Sequence, residues 1–238
     1  MHAVYDPLTR PAFVGGYASK AFLLRAFLCM ACAFPACVAA AGPSPAFTGN
    51  VQFMSNYVGR GLSQSVGQPS VEAELDYDPG HGVYAGLSGY TINVLDELYP
   101  GDSASLLIEG VIGYQRAFAQ DSQWKLGIQR VQFPGRYIAQ SSPMEEPNTT
   151  EVTGYVRWRW LSAKLDYAVT DYYGTFGSAG SWYADLNASQ PVGESWTFGA
   201  HLGRKTLMGS DPVGGSANSR KDYTDYKLSL TCSFGPGL

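Results

Sequence analysis

The most constraining feature of this sequence is an alternation of apolar and polar side chains with a period of two. The clearest example runs from Ser181 to Thr206, where two alternating segments flank the short breaker Gln190–Glu194. Successive side chains of a β-strand point to opposite faces, so each segment predicts a strand with one apolar and one polar face. Each apolar row begins with a tryptophan, Trp182 or Trp196, and we place both at the turn end of the hairpin. Aromatic residues at the edge of an apolar band are typical of a membrane–water interface.

Ten segments of this kind are predicted, and the connections between them alternate in length. The predicted strands are 47–58, 70–78, 83–92, 104–118, 123–133, 150–160, 162–170, the two strands within 181–206, and 224–234. The connections after even-numbered strands are short: 79–82, 119–122, Leu161 alone and 190–194. The connections after odd-numbered strands are longer: 59–69, 93–103, 134–149, 171–180 and 205–223.

This sorting of the connections indicates a barrel that crosses a membrane. Bacterial outer-membrane barrels have an even number of antiparallel strands, short turns at one end and longer loops at the other. Strands of about ten residues also suit a tilted span of the bilayer. We therefore predict an all-β fold, an antiparallel up-and-down transmembrane β-barrel whose apolar rows face lipid and whose polar rows face the lumen. A secreted soluble β-barrel or sandwich is the alternative.

Residues 1–41 have the organisation of an export signal. Basic residues precede an uncharged run over 26–41, which ends in small residues that suit cleavage. The run is shorter than the about 20 apolar residues of a membrane-spanning helix. We predict a signal peptide over 1–41 and a barrel domain over 42–238 that resides in the bacterial outer membrane. A membrane anchor helix and a lipidation site at Cys37 are the alternatives.

Cysteine content and charge exclude several classes of protein. Of the four cysteines, Cys232 alone follows the predicted signal peptide, so the remaining chain can form neither a disulfide framework nor a cysteine metal cluster. The charged residues of the signal peptide are Asp6, Arg10, Lys20 and Arg25. Without them, the 16 basic and 20 acidic residues become 13 and 19, a net charge of −6. A nucleic-acid-binding protein would instead carry a basic stripe, so we expect no nucleic-acid partner.

Several stretches of the predicted barrel resemble one family of outer-membrane proteins. They are FTGNVQFMSNYVGRGLSQS (47–65), Gln68-Pro69, Leu75-Asp76-Tyr77, Gly82-Val83-Tyr84-Ala85-Gly86, Asp171-Tyr172-Tyr173-Gly174 leading into Gly180-Ser181-Trp182-Tyr183, and Asp222-Tyr223-Thr224-Asp225-Tyr226-Lys227. In this order they resemble the TorF-type porins of proteobacteria over residues 47 to about 230. The resemblance implies a porin-like channel for passive passage of small solutes or ions. It also implies outer-membrane lipid and the barrel assembly machinery as partners.

The resemblance implies about twelve strands, whereas only ten segments are found. Members of the family continue for about two strands beyond the last matching stretch and end in an aromatic residue. This sequence ends at Leu238, with Phe234 as its last aromatic residue. A ten-strand variant and a truncated twelve-strand barrel are both compatible with this departure.

The charged side chains on the polar rows are the candidate site of a channel, because charges that face a lumen set its ion preference. The candidates are Arg60, Glu72, Glu74, Asp76, Glu109, Lys125, Arg157, Arg159, Lys164, Asp166, Asp185, His201, Asp225 and Lys227. In a narrow lumen we expect many of them to pair and to plug it. Arg60, in the first long connection, is interpreted as a surface arginine near Glu72, with a positive constriction group as the alternative.

A barrel enzyme and a non-conducting barrel are two further classes of function for this sequence. A barrel enzyme needs a base beside a nucleophile at the outer rim, but His81 lies in a short turn and His201 is in mid-strand, plausibly beside Asp185. No nucleophile-elbow, zinc or phosphate-loop spacing is present in the sequence, so we predict no enzyme, metal or cofactor. A non-conducting structural or adhesion barrel is the other alternative. Tyr172 and its neighbours Tyr173 and Phe176 would then bind a partner, although packing onto the rim is favoured.

Overall fold

The protein is built almost entirely of β-strands. The computed structural model describes residues 46–98, 104–135, 146–212 and 214–232. The strands are β1 (Ala46–Met54), β2 (Val58–Gly59), β3 (Leu62–Ser63), β4 (Ser70–Asp78), β5 (Val83–Thr91), β6 (Leu106–Ala119), β7 (Ser122–Gln132), β8 (Thr149–Trp158), β9 (Leu161–Ala168), β10 (Trp182–Val192), β11 (Trp196–Thr206) and β12 (Tyr223–Cys232). A one-turn helix, α1 (Val94–Leu98), and a 3₁₀ turn (Asn218–Lys221) lie in the long connections.

Ten of these strands form one antiparallel sheet in which every strand pairs with its neighbours in the sequence. The order is β1-β4-β5-β6-β7-β8-β9-β10-β11-β12, while β2 and β3 form a separate small hairpin. This confirms the prediction of an all-β antiparallel fold of ten strands. Within the described ranges, β1 and β12 are the two edges of the sheet and are not paired with each other.

The two faces of the sheet have opposite chemistry. The strands pair so that polar residues lie opposite polar residues on one face. Glu109 is opposite Ser88, and Asp166 is opposite Thr153. Leucine, valine and aromatic side chains occupy the other face, and most of them are exposed. Among the described residues, the fully buried side chains include Glu151, Asp166 and Thr149. Charged groups are therefore buried while large apolar groups are exposed, the reverse of an ordinary soluble domain.

The sheet curves so that its polar face is the inner one. Arg60, in the connection after β1, contacts Glu151 of β8 and Asp166 of β9, and its carbonyl oxygen accepts a hydrogen bond from Tyr223 of β12. One short connection can reach three distant strands only if the sheet bends around it. The β2–β3 hairpin therefore lies against the inner face, at the end of the sheet that carries the long connections.

Two small hydrophobic clusters close this end of the curved sheet. The larger contains Ile92, Leu95, Ala104, Leu107, Val131 and Phe133, and the smaller contains Ala168, Tyr172 and Leu207. Tyr173 packs against both clusters. The structure thus supports packing of Tyr172 and Tyr173 over their exposure to a partner.

Three local predictions are wrong. Trp196 lies beside the 193–195 turn, but Trp182 pairs with Thr206 at the opposite end of the hairpin, because the chain enters β10 from a long connection. β8 ends at Trp158, so Arg159 lies in a two-residue turn, with a φ of 57°, and not on the strand. The first connection is also more than a loop, since it contains the β2–β3 hairpin.

In the described part of the chain, no helix is long and apolar enough to cross a membrane. The predicted signal peptide over 1–41 and the residues from 233 onward lie outside the described residues.

A test of the inner packing concerns Gly113 on β6. The ring of Tyr84 lies over the Gly113–Gly127 pair, and a Cβ atom on Gly113 would be 2.8 Å from that ring and would overlap the carbonyl oxygen of Leu126. We expect Gly113→Ala to lower the free energy of unfolding by about 1–3 kcal/mol, because the site is already full. Urea unfolding followed by tryptophan fluorescence measures this.

The matched control is Gly110→Ala on the same strand, where a Cβ atom would have no neighbour within 4 Å. Its unfolding midpoint should stay close to that of the unmodified protein. Equal midpoints for the two variants would show that Tyr84 does not pack against Gly113 in solution.

Candidate functional site

The β2–β3 hairpin delivers one arginine to the interior of the sheet. Its two-residue turn is Arg60-Gly61, and both residues have positive φ angles, 49° and 77°. A turn with two left-handed residues matches the twist of a hairpin, and glycine at the second position adopts this conformation without strain. Gly61 also approaches Asp225 so closely that a Cβ atom would lie 2.5 Å from the Asp225 Cβ. The turn therefore needs glycine here, and this brings Arg60 to the inner face.

Arg60 forms a two-pronged ion pair with a buried carboxylate. Its Nη1 and Nη2 atoms donate to Glu151 Oε1 at 2.7 Å and Oε2 at 2.6 Å. Nη2 also donates to Asp166 Oδ2 at 3.1 Å, and the Lys164 Nζ lies 3.0 Å from the same oxygen. Bidentate pairs of this kind are the strongest charge-assisted hydrogen bonds in proteins. Two cations and two carboxylates thus form one compact network, the Arg60 cluster (Arg60, Glu151, Lys164 and Asp166).

Aromatic rings enclose the guanidinium of Arg60. Its Cζ atom lies 5.2–5.6 Å from the ring centroids of Tyr172, Tyr173 and Tyr183, and Nη1 donates to the Tyr172 hydroxyl at 3.0 Å. Burial raises the pKa of the Tyr172 phenol, although Arg60 opposes this effect. Burial also raises the pKa of the Tyr173 phenol well above its ordinary value. Both rings therefore remain neutral and act as cation–π partners of Arg60.

A cavity of about 170 Å³ lies between the hairpin and the ends of the surrounding strands. Its charged lining residues are Arg60, Glu109 and Lys205. Tyrosines form much of the remaining wall, with aliphatic side chains such as Leu95 and Leu107. An aromatic pocket with a few convergent charges is the usual form of a small-molecule site.

A second polar cluster surrounds His201 on the inner face of β11. Its Nε2 atom lies 2.8 Å from Asp225 Oδ1 and its Nδ1 atom lies 2.8 Å from Asn187 Oδ1. Asp185 touches this cluster through Asn187, whose Nδ2 atom donates to Asp185 Oδ1 at 2.5 Å. The expected pairing of His201 with Asp185 is therefore indirect. Both ring nitrogens are engaged, which suits a structural role better than that of a catalytic base.

The remaining candidate residues divide by position. Glu74, Asp76 and Glu109 line a cavity of about 140 Å³ on the inner face. Glu72 shares this face, opposite Tyr90. Lys125 lies 5.1 Å from the Tyr84 ring centroid, and Lys227 is opposite His201. Arg157 is exposed near the short-turn end of β8, and Arg159 stacks on Trp158 in the turn, outside the interior.

Two features of the Arg60 cluster differ from what the sequence predicts. The interpretation of Arg60 as a surface arginine near Glu72 is wrong, because its side chain is mostly buried against β8 and β9. Glu151 is not among the predicted site residues, although it lies on the same face of a predicted strand as Thr153 and Tyr155. The sequence signal for the hairpin is the pair Arg60-Gly61, because glycine at the second position of a two-residue turn favours a β-hairpin.

Within residues 46–98, 104–135, 146–212 and 214–232, no group of three or more histidine, cysteine or acidic side chains is arranged to hold a metal ion. Among the described residues, Asp166 Oδ1 of the Arg60 cluster is buried and has no hydrogen-bond partner.

Comparison with known proteins finds one family. Residues 39–238 match the model of a family described as "Bacterial protein of unknown function (Gcw_chp)". No curated protein matches the chain, and no solved structure matches it either.

A test of the Arg60 cluster removes its central cation. The side chain of Glu151 is 0% exposed and that of Asp166 is 1% exposed, so Arg60→Met leaves buried carboxylates short of a partner. We expect the free energy of unfolding to fall by about 3–5 kcal/mol, the usual cost of an uncompensated buried charge. Adding Glu151→Gln should restore part of the loss, because the neutral amide removes one of the buried charges. Urea unfolding of both variants measures the effect.

Arg204→Met is the matched control. Arg204 also pairs with an aspartate, Asp222, at 3.5 Å, but its side chain is 49% exposed. Its removal should cost no more than about 1 kcal/mol. Similar losses for Arg60→Met and Arg204→Met would contradict a structural role for the buried cluster.

Proposed function

Because this chain belongs to the Gcw_chp family of bacterial proteins of unknown function, we propose its activity from its physical chemistry: it is an outer-membrane β-barrel that acts as a narrow, porin-like channel. The segment over 1–41 directs export, and the barrel assembly machinery inserts the mature chain into outer-membrane lipid. Small solutes or ions pass through the interior. The resemblance to the TorF-type porins supports the same assignment.

The observation that carries this proposal is the reversed polarity of the sheet. Leu186, in the middle of β10, is 59% exposed, and its outward neighbours on the adjacent strands are Ala163 and Leu202. The charged residues on the outward rows lie near the strand ends, as Arg130 and Arg204 do. A continuous apolar exterior over a charged interior is unfavourable in water. It is the arrangement that a bilayer requires of a spanning barrel.

Aromatic side chains at both edges of the apolar exterior support the proposal. Trp124, Trp158, Trp160 and Trp196 are exposed beside the short turns. At the opposite end, the exposed aromatic residues include Phe53, Tyr167 and Tyr226. Two such belts separated by aliphatic residues match the two interfaces of a membrane.

Closure of the sheet is part of the proposal. Ten strands in up-and-down order make β1 and β12 run in opposite directions, which is the direction that an antiparallel ladder between them requires. Both edges carry exposed apolar side chains, such as Val51 and Leu228. An unpaired edge inside lipid would leave backbone groups without hydrogen bonds, which strongly favours closure.

A non-conducting structural barrel is the second candidate, and the β2–β3 hairpin is the observation that favours it. The hairpin lies against the inner face at the long-connection end, where the Arg60 cluster fixes it. A hairpin held this firmly is either the constriction of a narrow channel or a plug. Conductance measurements distinguish the two.

The membrane assignment is tested by Leu186→Arg. In a bilayer, arginine at this mid-strand position should destabilise the inserted barrel by about 2–4 kcal/mol. In a soluble protein, the same exposed position should accept arginine at little cost. The readout is the fraction of folded protein in lipid vesicles, seen as a band whose gel mobility changes on boiling.

Glu194→Arg, in the short turn between β10 and β11, is the control and should insert normally. The outer-membrane proposal fails if both variants fold equally well and the unmodified protein is recovered soluble from the periplasm.

The channel assignment is tested by shortening the hairpin. A short Gly-Ser linker in place of Val58–Ser63, combined with Glu151→Gln, removes the obstruction and the carboxylate that it leaves unpaired. We expect the single-channel conductance in planar bilayers to increase at least two-fold, because the narrowest section widens. Arg204→Met, which leaves the hairpin and the Arg60 cluster intact, should conduct like the unmodified protein. Absence of conductance in every variant would favour the structural barrel.

A further inference from the structure

Lys205 is a buried cation that forms no ion pair among the described residues. The residue is 4% exposed, at the inner face of β11 near its long-connection end. In the described part of the chain, no carboxylate oxygen lies within 4 Å of its ammonium group. Its close partners are two rings: the Nζ atom lies 4.4 Å from the centroid of Tyr223 and 5.8 Å from that of Tyr172. A buried ammonium group ordinarily has a hydrogen-bonded anion as its partner.

Most charges around Lys205 have partners of their own. Asp222, the acidic group that favours the charged form of Lys205, accepts a hydrogen bond from the Leu207 amide at 2.8 Å and pairs with Arg204 at 3.5 Å. Arg60, which shares the cavity with Lys205, is matched by Glu151 and Asp166, and Lys164 shares the second of these carboxylates. Glu109 lines the same cavity but forms no ion pair with Lys205 among the described residues. Of the two cations that line the cavity, Lys205 is therefore the one that an anion would meet without first breaking an existing ion pair.

We propose that the cavity beside Lys205 is a binding site for a small organic anion, a carboxylate on a compact apolar or aromatic body. The carboxylate accepts hydrogen bonds from the Lys205 ammonium group, and the body packs against the tyrosine and leucine walls. A charge-assisted contact of this type is shorter and stronger than a hydrogen bond between neutral groups.

The size and walls of the cavity limit the ligand. A cavity of about 150 Å³ lined by apolar groups accepts a benzene ring, and this one measures about 170 Å³. Tyr57 and Tyr173 add flat faces for an aromatic ring, while Leu62 and Leu95 add aliphatic ones. The site thus fits one ring with one carboxylate and is too small for an oligosaccharide or a peptide. It lies behind the hairpin turn, so its occupancy does not require a conducting pore.

Benzoate is the probe that tests this inference. Equilibrium dialysis of radiolabelled benzoate against the folded full-length protein in detergent micelles, with empty micelles as the blank, gives the affinity. Benzamide and benzylamine, tested as competitors, keep the ring but replace the anion with a neutral amide or a cation. We expect benzoate to bind and neither competitor to displace it at equal concentration.

Lys205→Met should weaken benzoate binding at least ten-fold, while Lys205→Arg, which keeps the charge, should lose less. Lys221→Met is the matched control, since Lys221 lies at the same end of the protein but does not line the cavity, and it should bind like the unmodified protein. Circular dichroism establishes that each variant is folded. If Lys205→Met does not fold, the comparison of benzoate with benzamide on the unmodified protein decides.

Three results would overturn the inference: no benzoate binding above empty micelles, equal binding by folded Lys205→Met, or equal displacement by benzamide or benzylamine. Displacement by benzylamine would assign the site to Glu109 instead. Because dialysis does not measure ion flow, a non-conducting protein that binds benzoate supports this inference while the channel proposal fails.

Discussion

The ion pair between Arg60 and Glu151 is the interaction on which the interior depends. It joins the connection after β1 to β8, the sixth strand in the order of the ten-stranded sheet. Without it, the hairpin would lose its main anchor, the carboxylate of Glu151 would be buried without a compensating cation, and Asp166 would keep only Lys164. Tyr172 and Tyr173 pack against this arginine, so the inner hydrophobic clusters also depend on its position. One guanidinium thus organises both the polar and the apolar packing of this end.

The inner and outer faces of the sheet are stabilised by different interactions. On the outer face, side chains such as Leu126 and Leu165 contribute little to one another, and their burial requires an apolar surrounding. On the inner face, buried charges need hydrogen-bonded partners, and the Arg60 and His201 clusters provide most of them. Such networks are stable only when nearly every donor and acceptor is satisfied. Lys205 departs from this rule, because no carboxylate of the described residues lies within ion-pair distance of its ammonium group.

Most of the sheet can be predicted from the sequence, but little of the site can. Strand positions and faces follow from a period of two, which is a local property, and β4 was predicted at its observed bounds. The pairing of Arg60 with Glu151 joins residues 91 positions apart and has no local signature. Trp182 was misplaced because alternation gives the face of a residue and not the end of the strand. Arg159 was misassigned because a two-residue turn continues the apolar pattern through Trp160.

The hydrogen bond from Tyr223 to the Arg60 carbonyl has a kinetic consequence. It joins residues 163 positions apart in the sequence. Contacts between such distant residues carry a large loop-closure entropy, which slows their formation. We therefore expect seating of the hairpin to be a late event of folding. A chain that stops before this event has no hairpin in its interior at the long-connection end. At that stage a protease has access to the long connections.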